Sequence, residues 1–548
     1  MDSAVFTPEA AYTLPELEAK FPPRDLPEGA RVTRFGPSPT GFMHIGGLYT
    51  SLVSRRLAHQ SGGKFFLRIE DTDKKREVEG TVDLILASLA TYGLSPDEGE
   101  IADGQEVGAY GPYRQSERKP IYQSCVRWLL DQGHAYPCFA TADELQALRD
   151  EQTKRKVPPG YYGAWAIWRD KSEADVADAL AAGLPYVIRL RASGGRDERV
   201  TLPDTIRGDL EFPANQTDVV LLKADGMPTY HLAHVVDDHF MRTTDVIRGN
   251  EWLASYPMHA QMFAAFGWAP PRFAHISPIE KQDGGSRRKL SKRHDPEASV
   301  GWYMEAGYPL GAVTEYLLNL IDGRFEDWRA ENPALPNTEF RIELERMSRS
   351  GALFDLVKLD SVSRDVVGAM SAKAIYDAAL VWASGHDPAF AVRFAADPAY
   401  SQAILDIERH GERPRKDIVR WSQLPADIGY FFDDRYAELV GEAREAFAAL
   451  QPAPAEGLLA AVAAAYHPAL DREAWLEWLR ELGLTFGYAP NAKTFKAAPD
   501  QYRGHFGDLA SVLRVALAAR RNTPDLHELM QVLGQDRVVA RLNAAAGW

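Results

Sequence analysis

The chain has 548 residues, of which 45% are hydrophobic and 25% charged, with 12 Trp, 22 Tyr and 23 Phe. This composition is typical of a folded protein of several domains and excludes collagen-like, low-complexity and disordered chains. The formal net charge of -15 argues against a polycation that coats nucleic acid by charge alone, although local basic clusters leave room for a directed basic face.

Two further features bear on the compartment. No stretch approaches the roughly 20 apolar residues that span a bilayer, and residues 1–30 carry acids and prolines where a secretory signal needs an apolar core. The only cysteines, Cys125 and Cys138, cannot build a framework of disulfides and fit a reducing compartment. We therefore expect a cytoplasmic protein with no membrane partner.

The first predicted elements form a βαβ unit. A Pro-rich segment precedes a short strand at residues 31–35, and the turn GPSPTGFMHIGG leads into a helix and a second strand at residues 64–70. Such units are right-handed and open a parallel sheet whose ligands bind beyond the carboxyl ends of its strands. The turn after the first strand is therefore where we expect chemistry.

The next stretch predicts an insertion. Amphipathic helices are predicted at residues 80–95 and 117–133. From about residue 135 to 223 the sequence changes to short segments with many Gly and Pro. We interpret this stretch as an α+β module inserted into the sheet domain.

The sheet is predicted to resume after the insertion. Strands are predicted at residues 219–223, 229–238 and 244–248, followed by a helix through Met258 to Phe266. Beyond about residue 300 the chain is mostly amphipathic helix, with apolar residues three and four apart. The predicted fold class is α/β, with a Rossmann-like parallel-sheet domain split by an α+β insertion and followed by an all-α region.

The turn after the first strand predicts a phosphate site without a familiar phosphate loop. It contains no G-x-G-x-x-G, and GFMHIGG lacks the Lys-Ser/Thr of a Walker loop. Gly46 and Gly47 lack a Cβ where a nucleotide would approach, and exposed N–H groups at a helix start favour phosphate oxygens. Ser38, Thr40 and His44 precede them. Taken alone, such a fragment is more often only a turn.

A second basic element follows in RRKLSKRH. Lys289 and Lys292 flank Leu290 and Ser291 after a Gly-rich stretch. Two lysines on a loop of this kind are suited to stabilise the charge that builds on a departing pyrophosphate. Taken alone, a basic surface loop is the commoner interpretation.

The two elements together resemble the paired HIGH and KMSKS motifs of class I aminoacyl-tRNA synthetases. The resemblance is closer still to the bacterial-type glutamyl-tRNA synthetase family, because further segments match in order from about residue 31 to 295. These are RFGPSPTG from Arg34, RIEDTD from Arg68, GPYRQSER from Gly111, DGMPTYHLA from Asp225, VVDDH from Val235, DVIRGNEWL from Asp245 and KLSKR from Lys289. The fourth HIGH position is Gly47, a variation that the family itself shows.

The resemblance implies ATP-dependent ligation of L-glutamate to tRNA(Glu) through a glutamyl-adenylate. No covalent enzyme nucleophile is needed, so catalysis is positioning and charge stabilisation. His44, Lys289 and Lys292 are implied as catalytic, and Mg²⁺ is expected to accompany ATP rather than to occupy a protein cage. The implied ATP-binding residues are Thr40, His44, Gly46, Gly47, Lys289 and Lys292.

The resemblance also implies a pocket for glutamate. An arginine fork suits a side-chain carboxylate that must be desolvated, and Arg34 and Arg248 match the family's positions for it. Glu70 is implied to bind the α-ammonium group. For Arg34 and Glu70 a buried structural ion pair is the alternative. The implied glutamate-binding residues are Arg34, Ser38, Glu70, Tyr230, Arg248 and Trp252.

We predict no metal site. His231, His234, Asp237, Asp238 and His239 have the chemistry of ligands, but residues three apart in an extended strand face opposite sides. Some relatives bind zinc in the insertion, where residues 135–223 of this chain contain Cys138 alone, so a structural zinc is not expected. His234 stands where bacterial relatives have Asn, which leaves its contact with substrate open.

A tRNA partner would account for the remaining length, and the family is usually monomeric. Arg413 and Arg415 lie in a segment that resembles the anticodon-contacting region, and guanidinium groups stack on unpaired bases. The predicted domains are an N-terminal extension (1–30), the catalytic domain (31–120 and 226–280), an acceptor-binding insertion (121–225), a stem-contact region with the KLSKR loop (281–370) and a helical anticodon-binding region (371–548).

Two other functions stay open at this stage. One is a non-discriminating enzyme that also charges tRNA(Gln), and the other is a catalytically inactive tRNA-binding regulator. A glutaminyl-tRNA synthetase is disfavoured, because its anticodon region is typically a β-barrel and this carboxyl half is helical. Intact His44, Lys289 and Lys292 speak against the loss of catalysis.

Overall fold

The computed structural model describes residues 2–73, 75–102, 104–291, 293–411 and 414–548. Two of the predicted site residues, Lys292 and Arg413, lie outside this part of the chain. The chain divides into two compact units. One runs from the amino terminus to Trp302 and from Thr314 to Asp355, and the other comprises Tyr303–Val313 and Leu356–Trp548. No helix among the described residues is long and apolar enough to span a bilayer.

A parallel sheet with covering helices begins the first unit. Its elements are α1 (Leu14–Lys20), β1 (Val32–Phe35), α2 (Ile45–Gln60), β2 (Lys64–Leu67), α3 (Thr81–Thr91), β3 (Glu98–Glu100), β4 (Glu106–Val107) and α4 (Lys119–Asp131). Strands β1, β2 and β3 are parallel neighbours, and β4 is antiparallel to β3. Phe65, Phe66 and Leu67 are fully buried in β2, as expected for a strand covered on both faces. The predicted βαβ unit is therefore present.

The insertion forms its own small sheet. Its elements are β5 (Ala135–Cys138), α5 (Ala142–Lys154), α6 (Glu173–Ala181), β6 (Val187–Leu190), β7 (Arg199–Asp204), β8 (Gly208–Pro213) and β9 (Val220–Leu222). Strands β5, β6 and β9 pair antiparallel, and β7 and β8 form a hairpin. The strand predicted at 219–223 therefore exists, but it completes the insertion's sheet rather than resuming the catalytic one.

The strand predicted at residues 229–238 is wrong, because this segment is helix α7 (Tyr230–Phe240). Its alternation of aromatic, β-branched and polar residues imitates a strand. Leu232, Val235 and Val236 lie three and four positions apart, which places them on one helical face, and all three are fully buried. Long-range packing of this face therefore outweighs the local β preference.

The parallel sheet resumes with β10 (Asp245–Gly249), α8 (Tyr256–Phe266) and β11 (Arg272–Ile276). Strands β10 and β11 are parallel, with Arg248 opposite His275. The N–H of Thr244 donates to the Val32 carbonyl at 2.9 Å, which joins the edge of β10 to β1. The carboxyl ends of β1 and β10 therefore adjoin, as expected where a ligand binds in such a fold.

The N-terminal segment is folded onto this unit. Arg24 forms an ion pair of 2.7 Å with Glu98 next to the sheet. Glu18 lies 2.6 Å from both His239 and Arg242, at the end of α7. These contacts fasten α1 and its flanks to the catalytic sheet domain.

The chain then forms β12 (Ile279–Asp283), β13 (Ser286–Lys289), α9 (Val300–Glu305), α10 (Leu310–Ile321), α11 (Arg324–Glu331) and β14 (Ala352–Leu353). Strands β12 and β13 are a hairpin, with Glu280 opposite Lys289, and β14 is parallel to β12. Gly284, with φ of +58°, supplies the left-handed residue of the hairpin turn. The lysine-rich segment therefore begins as a strand that ends at Lys289.

The second unit is helical around one hydrophobic core. Its further elements are α12 (Leu356–Gly368), α13 (Ala372–His386), α14 (Pro388–Ala396), α15 (Pro398–Asp406), α16 (Leu424–Asp427), α17 (Asp433–Ala448), α18 (Leu458–Ala465), α19 (Arg472–Thr485), β15 (Tyr488–Ala489), α20 (Ala492–Ala497), β16 (Gly504–His505), α21 (Phe506–Ala518) and α22 (Leu526–Ala545). Among the described residues of this unit, the strands are the two-residue pair β15 and β16, and the other elements are helices. The predicted helical carboxyl half is therefore confirmed.

Candidate functional site

The turn after β1 is organised by His44, which immediately precedes α2. Its Nδ1 accepts a hydrogen bond of 2.9 Å from the N–H of Gly46, and its carbonyl accepts one of 2.7 Å from Gly47. A Cβ on Gly46 would lie 3.1 Å from the His44 Nδ1, and one on Gly47 would lie 3.2 Å from the Phe35 ring. The glycines permit this close packing. Their N–H groups, which we predicted to be exposed, are already hydrogen-bonded.

The lysine-rich segment lies against this turn. The Nε2 atom of His44 is 3.3 Å from the carbonyl oxygen of Leu290, a residue 246 positions away in the chain. The neighbouring Lys289 places its Nζ 3.5 Å from Glu251 Oε1, and its side chain is 56% exposed. Two motifs that are far apart in the sequence therefore share one surface.

Two adjoining cavities open at this edge of the sheet. The cavity between the turn and β13 has a volume of about 340 Å³ and is lined by His44, Gly46, Gly47 and Lys289. The second cavity has a volume of about 360 Å³ and is lined by Thr40 and by all six residues that we predicted to bind glutamate. These are Arg34, Ser38, Glu70, Tyr230, Arg248 and Trp252. Thr50 lines both cavities, so a ligand could extend from one into the other.

Asp238 is a buried carboxylate that joins two arginines behind the second cavity. Its Oδ1 accepts hydrogen bonds from Arg34 Nε at 3.2 Å and from Arg68 Nη1 at 2.7 Å. Burial opposes this negative charge, but the two guanidinium groups outweigh it and hold the pKa of Asp238 well below its usual range. Arg34 is therefore already paired with a carboxylate of the protein.

Glu70 is one of three carboxylates that line this cavity among the described residues, with Asp73 and Glu77. Its Oε1 accepts a hydrogen bond of 2.9 Å from Arg68 Nη2, and its side chain is 8% exposed. Burial raises the pKa of Glu70, although Arg68 and Arg34 act in the opposite direction. Gly36 makes room for it, since a Cβ there would lie 2.8 Å from Glu70 Cδ. A substrate ammonium group at this place would favour the charged carboxylate.

Arg248 differs from these arginines because its hydrogen bonds go to imidazoles. Its Nε donates to His275 Nε2 at 2.9 Å, and its Nη1 lies 3.3 Å from His234 Nε2 and 3.2 Å from His259 Nδ1. Its buried Nη2 has no hydrogen-bond partner among the residues that the structure describes. Burial lowers the pKa of Arg248, and the nearby Tyr230 hydroxyl acts in the opposite direction.

Aromatic side chains form a wall of the same cavity. Tyr230 stacks on Trp252 with ring centroids 4.1 Å apart. Burial raises the pKa of Tyr230 to about 12, so its hydroxyl keeps its proton at neutral pH. The wall therefore offers a hydrogen-bond donor on an otherwise apolar surface.

Sequence reasoning missed a second buried acidic centre at Asp237. Its carboxylate accepts hydrogen bonds from Arg118 Nε at 2.7 Å, Tyr122 at 2.8 Å and Gln115 Nε2 at 2.9 Å. A signal for this centre was present in the sequence. Arg118 lies in the matched motif GPYRQSER and Asp237 in the matched motif VVDDH, so the two residues could have been predicted to form an ion pair. The histidines that contact Arg248 gave less signal, since His259 and His275 are isolated in sequence.

The reason we gave against a metal site in the histidine-rich segment is wrong. The segment is a helix, so residues three and four apart share a face. His234 Nδ1 lies 2.5 Å from Asp238 Oδ2 one turn away. Within the described ranges, no three His, Cys, Asp or Glu side chains are grouped as for a metal ion.

Arg415 lies in the second unit, beside a cavity of about 360 Å³ that Tyr430 and Arg520 also line. Its side chain is 9% exposed, and its Nε is 2.8 Å from Asp417 Oδ1. A base that binds Arg415 would therefore enter a pocket rather than meet an extended side chain.

Comparison with known proteins covers nearly the whole chain. Residues 31–359 match the family model of the catalytic domain of class I tRNA synthetases (E and Q), and residues 418–546 match an anticodon binding domain. The chain is 46% identical over 523 residues to the glutamate–tRNA ligase of Clostridium perfringens (strain 13 / Type A), covering 95% of this chain and 96% of that protein. It is 45% identical over 553 residues to the glutamate–tRNA ligase of Sorangium cellulosum (strain So ce56), covering 96% of each.

A solved structure is also similar. It is a glutamate tRNA ligase from Elizabethkingia meningosepticum CCUG26117 in complex with its amino acid, with a TM-score of 0.73 and 29% sequence identity. The similarity covers 94% of this chain and 99% of that one. It therefore extends over both units of the chain.

Proposed function

Since the chain belongs to the glutamate–tRNA ligase family of class I tRNA synthetases, we propose that it joins L-glutamate to tRNA(Glu) in two steps. In the first step the α-carboxylate of glutamate attacks the α-phosphorus of ATP, which gives glutamyl-adenylate and pyrophosphate. In the second step the 2′-hydroxyl of the terminal adenosine of the tRNA takes the glutamyl group, and AMP leaves.

The observation that carries this proposal is the meeting of two motifs beside an arginine-lined cavity. His44 Nε2 lies 3.3 Å from the Leu290 carbonyl oxygen, and Lys289 lines the same cavity. His44 and Lys289 act at the ATP phosphates, with Lys292 assigned there from its motif alone. Mg²⁺ arrives with ATP, because it prefers phosphate oxygens and water to an all-protein cage.

The second cavity binds the amino acid. Arg248 is the receptor for the side-chain carboxylate, because Arg34 is already paired with Asp238. Arg34 lines the same cavity and completes its positive field. Glu70 binds the α-ammonium group with Ser38 beside it, and Tyr230 donates from the wall that Trp252 supports.

The remaining length serves the tRNA. The insertion holds the acceptor end, the region at residues 281–370 contacts the stem, and the helical region at 371–548 reaches the anticodon through Arg413 and Arg415. The enzyme works as a monomer in the cytoplasm. The insertion does not fit a Cys-based zinc site, because the buried Cys138 Sγ is hydrogen-bonded to the Tyr161 hydroxyl at 3.3 Å.

The test is aminoacylation with purified tRNA(Glu) and tRNA(Gln), each with glutamate and with glutamine. We expect glutamate to be attached to tRNA(Glu). Attachment of glutamate to tRNA(Gln) as well would identify a non-discriminating enzyme. ATP–pyrophosphate exchange is measured in parallel with and without tRNA(Glu), because an inactive tRNA-binding protein gives no exchange in either case.

A further inference from the structure

We propose that the imidazoles of His234, His259 and His275 are positioning residues that hold Arg248 through their lone pairs. They leave its positive charge for the substrate side chain, so that this shell selects glutamate over glutamine. The inference rests on the proposed function and deepens it, because it assigns the origin of selectivity for a carboxylate.

The hydrogen bonds of Arg248 account for part of its donor set. A guanidinium group has five N–H donors. The Nε–H faces His275 Nε2 at 2.9 Å, and the two N–H bonds of Nη1 face His234 Nε2 at 3.3 Å and His259 Nδ1 at 3.2 Å. The two N–H bonds of Nη2 find no partner in the described part of the chain, and Arg248 lines the glutamate cavity. Nη2 therefore keeps donors that no other described side chain satisfies, buried beside the Tyr230 hydroxyl at the edge of the cavity that Tyr230 and Trp252 line.

The proton of His275 is placed by a carboxylate. Its Nδ1 lies 2.6 Å from Asp204 Oδ2, and its backbone N–H donates to the same oxygen at 3.0 Å. Since a carboxylate only accepts, Nδ1 carries the proton and Nε2 presents its lone pair to Arg248. Asp204 ends β7, so the insertion itself contributes to this arrangement.

The other two rings are oriented in the same way. His234 accepts from Arg248 at Nε2, because a guanidinium group only donates, and its Nδ1 lies 2.5 Å from Asp238 Oδ2. Since a guanidinium group only donates, His259 accepts from Arg248 at Nδ1; in the neutral ring Nε2 then carries the proton, which it donates to His231 Nδ1 at 3.0 Å. Burial lowers the pKa of both rings, which keeps them neutral beside the guanidinium group. The shell comes from three elements, α7, α8 and β11.

The charge of Arg248 is not cancelled by this shell. Arg34 and Arg68 each contact Asp238, and Arg118 contacts Asp237. No carboxylate of the described residues lies within 4.0 Å of Arg248, and Asp238 acts on its charge only from farther away. A buried charge without a counter-charge is costly, so an entering carboxylate gains more than a neutral amide of the same shape. This difference is the physical basis of the selectivity.

The test compares two variants of equal size at His259 in the full-length chain. His259→Glu places a carboxylate against Arg248 Nη1, whereas His259→Gln places a neutral amide there. His259 is chosen because its second neighbour is His231 rather than an acid. The measurements are the KM for glutamate and for ATP in charging of tRNA(Glu), and the inhibition constant of glutamine as a competitor of glutamate.

We expect H259E to raise the KM for glutamate at least tenfold, with less than a threefold change in the inhibition constant of glutamine. H259Q should leave both within threefold of the wild type, and both variants should keep the KM for ATP within twofold. His239→Gln is the matched control, because His239 lies on α7 and contacts Glu18 rather than Arg248. Equal effects of H259E and H259Q, or an unchanged KM for glutamate in H259E, would overturn the proposal.

A second pair keeps the inference testable if H259E does not fold. His275→Gln retains an acceptor for Arg248 Nε, and His275→Leu removes it. We expect the KM for glutamate to rise at least fivefold in H275L and to return to within twofold of the wild type in H275Q, with an unchanged KM for ATP. H275Q as impaired as H275L would refute the positioning role. If the wild-type chain attaches glutamate to tRNA(Glu) but H275L and H275Q behave alike, only this inference is contradicted. If the wild-type chain attaches no glutamate, the proposed function is contradicted as well.

Discussion

Gly36→Ala is a small change with a defined effect on the amino-acid cavity. The added Cβ would overlap Glu70 Oε1, its nearest atom, and would lie 2.8 Å from Cδ. Ordinary contact begins at 3.4 Å, so the carboxyl carbon must withdraw by about 0.6 Å (3.4 - 2.8) and Oε1 by more. Glu70 is held by Arg68 Nη2 at 2.9 Å and is buried, so it has little space in which to withdraw. The substitution therefore moves the group that we assign to the α-ammonium of glutamate.

The expected loss follows from the strength of the contact. A hydrogen bond to a charged group contributes about 1.5–3 kcal/mol, and about 1.4 kcal/mol corresponds to a factor of ten. We therefore expect the KM for glutamate to rise by about 10- to 100-fold. The KM for ATP should stay within twofold, since Gly36 does not line the cavity between the turn and β13. Steady-state aminoacylation of tRNA(Glu) measures both constants.

Gly385→Ala is the matched control. A Cβ at Gly385 would meet no atom within 4 Å, and the residue is the last but one of α13. We expect unchanged kinetic constants and a gain of at most about 0.5 kcal/mol in the free energy of unfolding, because alanine is the better helix former and the full effect of about 0.5–1 kcal/mol belongs to the middle of a helix. A Gly36→Ala enzyme that keeps the wild-type KM for glutamate would refute the assignment of Glu70.

Four further predictions concern other parts of the site. Arg34→Ala should raise the KM for glutamate by less than Arg248→Ala does, because Arg34 is paired with Asp238; an unchanged glutamate saturation curve for Arg34→Ala would remove Arg34 from the cavity's function. Lys289→Ala should lower the kcat of ATP–pyrophosphate exchange by about 10²- to 10³-fold, the usual effect of removing one donor to a developing charge. The melting temperature should not change, because the Lys289 side chain is largely exposed. Exchange at the wild-type rate would contradict the proposed role of Lys289. Burial lowers the pKa of His234 to about 3, so its neutral form is native and its contribution to stability is complete above pH 6.5 and lost as the pH falls. Urea unfolding should show a loss of about 2 kcal/mol from this residue between pH 7 and pH 5, and a smaller pH dependence in His234→Gln. Arg415→Glu should weaken charging through the KM for tRNA(Glu) while leaving the KM for glutamate unchanged; wild-type tRNA saturation would dispose of its assignment to the anticodon.

Local patterns predicted the part of the fold that local chemistry determines. The strands around Arg34 and Phe66, the turn between β1 and α2 and the helix after it follow from periodicity and turn residues. The meeting of His44 with the Leu290 segment followed from a resemblance between motifs, since no local pattern links residues 246 positions apart.

The errors came where burial decides between two local preferences. Val235 and Val236 favour a strand by their shape, but a helix buries both together with Leu232. The histidine shell of Arg248 could not be predicted in the same way, because α7, α8 and β11 each contribute one ring. Each histidine alone is an ordinary core residue, and only the tertiary structure shows that all three face one guanidinium group.

The hydrogen bond from Gly46 to His44 means that one side chain both initiates a helix and stands at the proposed phosphate site. Alanine at this position would remove the cap, at a cost of about 1 kcal/mol, together with the imidazole, so a loss of activity would have two causes. Asparagine caps helices well but has no ring nitrogen to reach the Leu290 carbonyl, so His44→Asn separates the two roles. A substitution at position 44 is therefore tolerated only if the new side chain both caps α2 and places a suitable group at the proposed phosphate site.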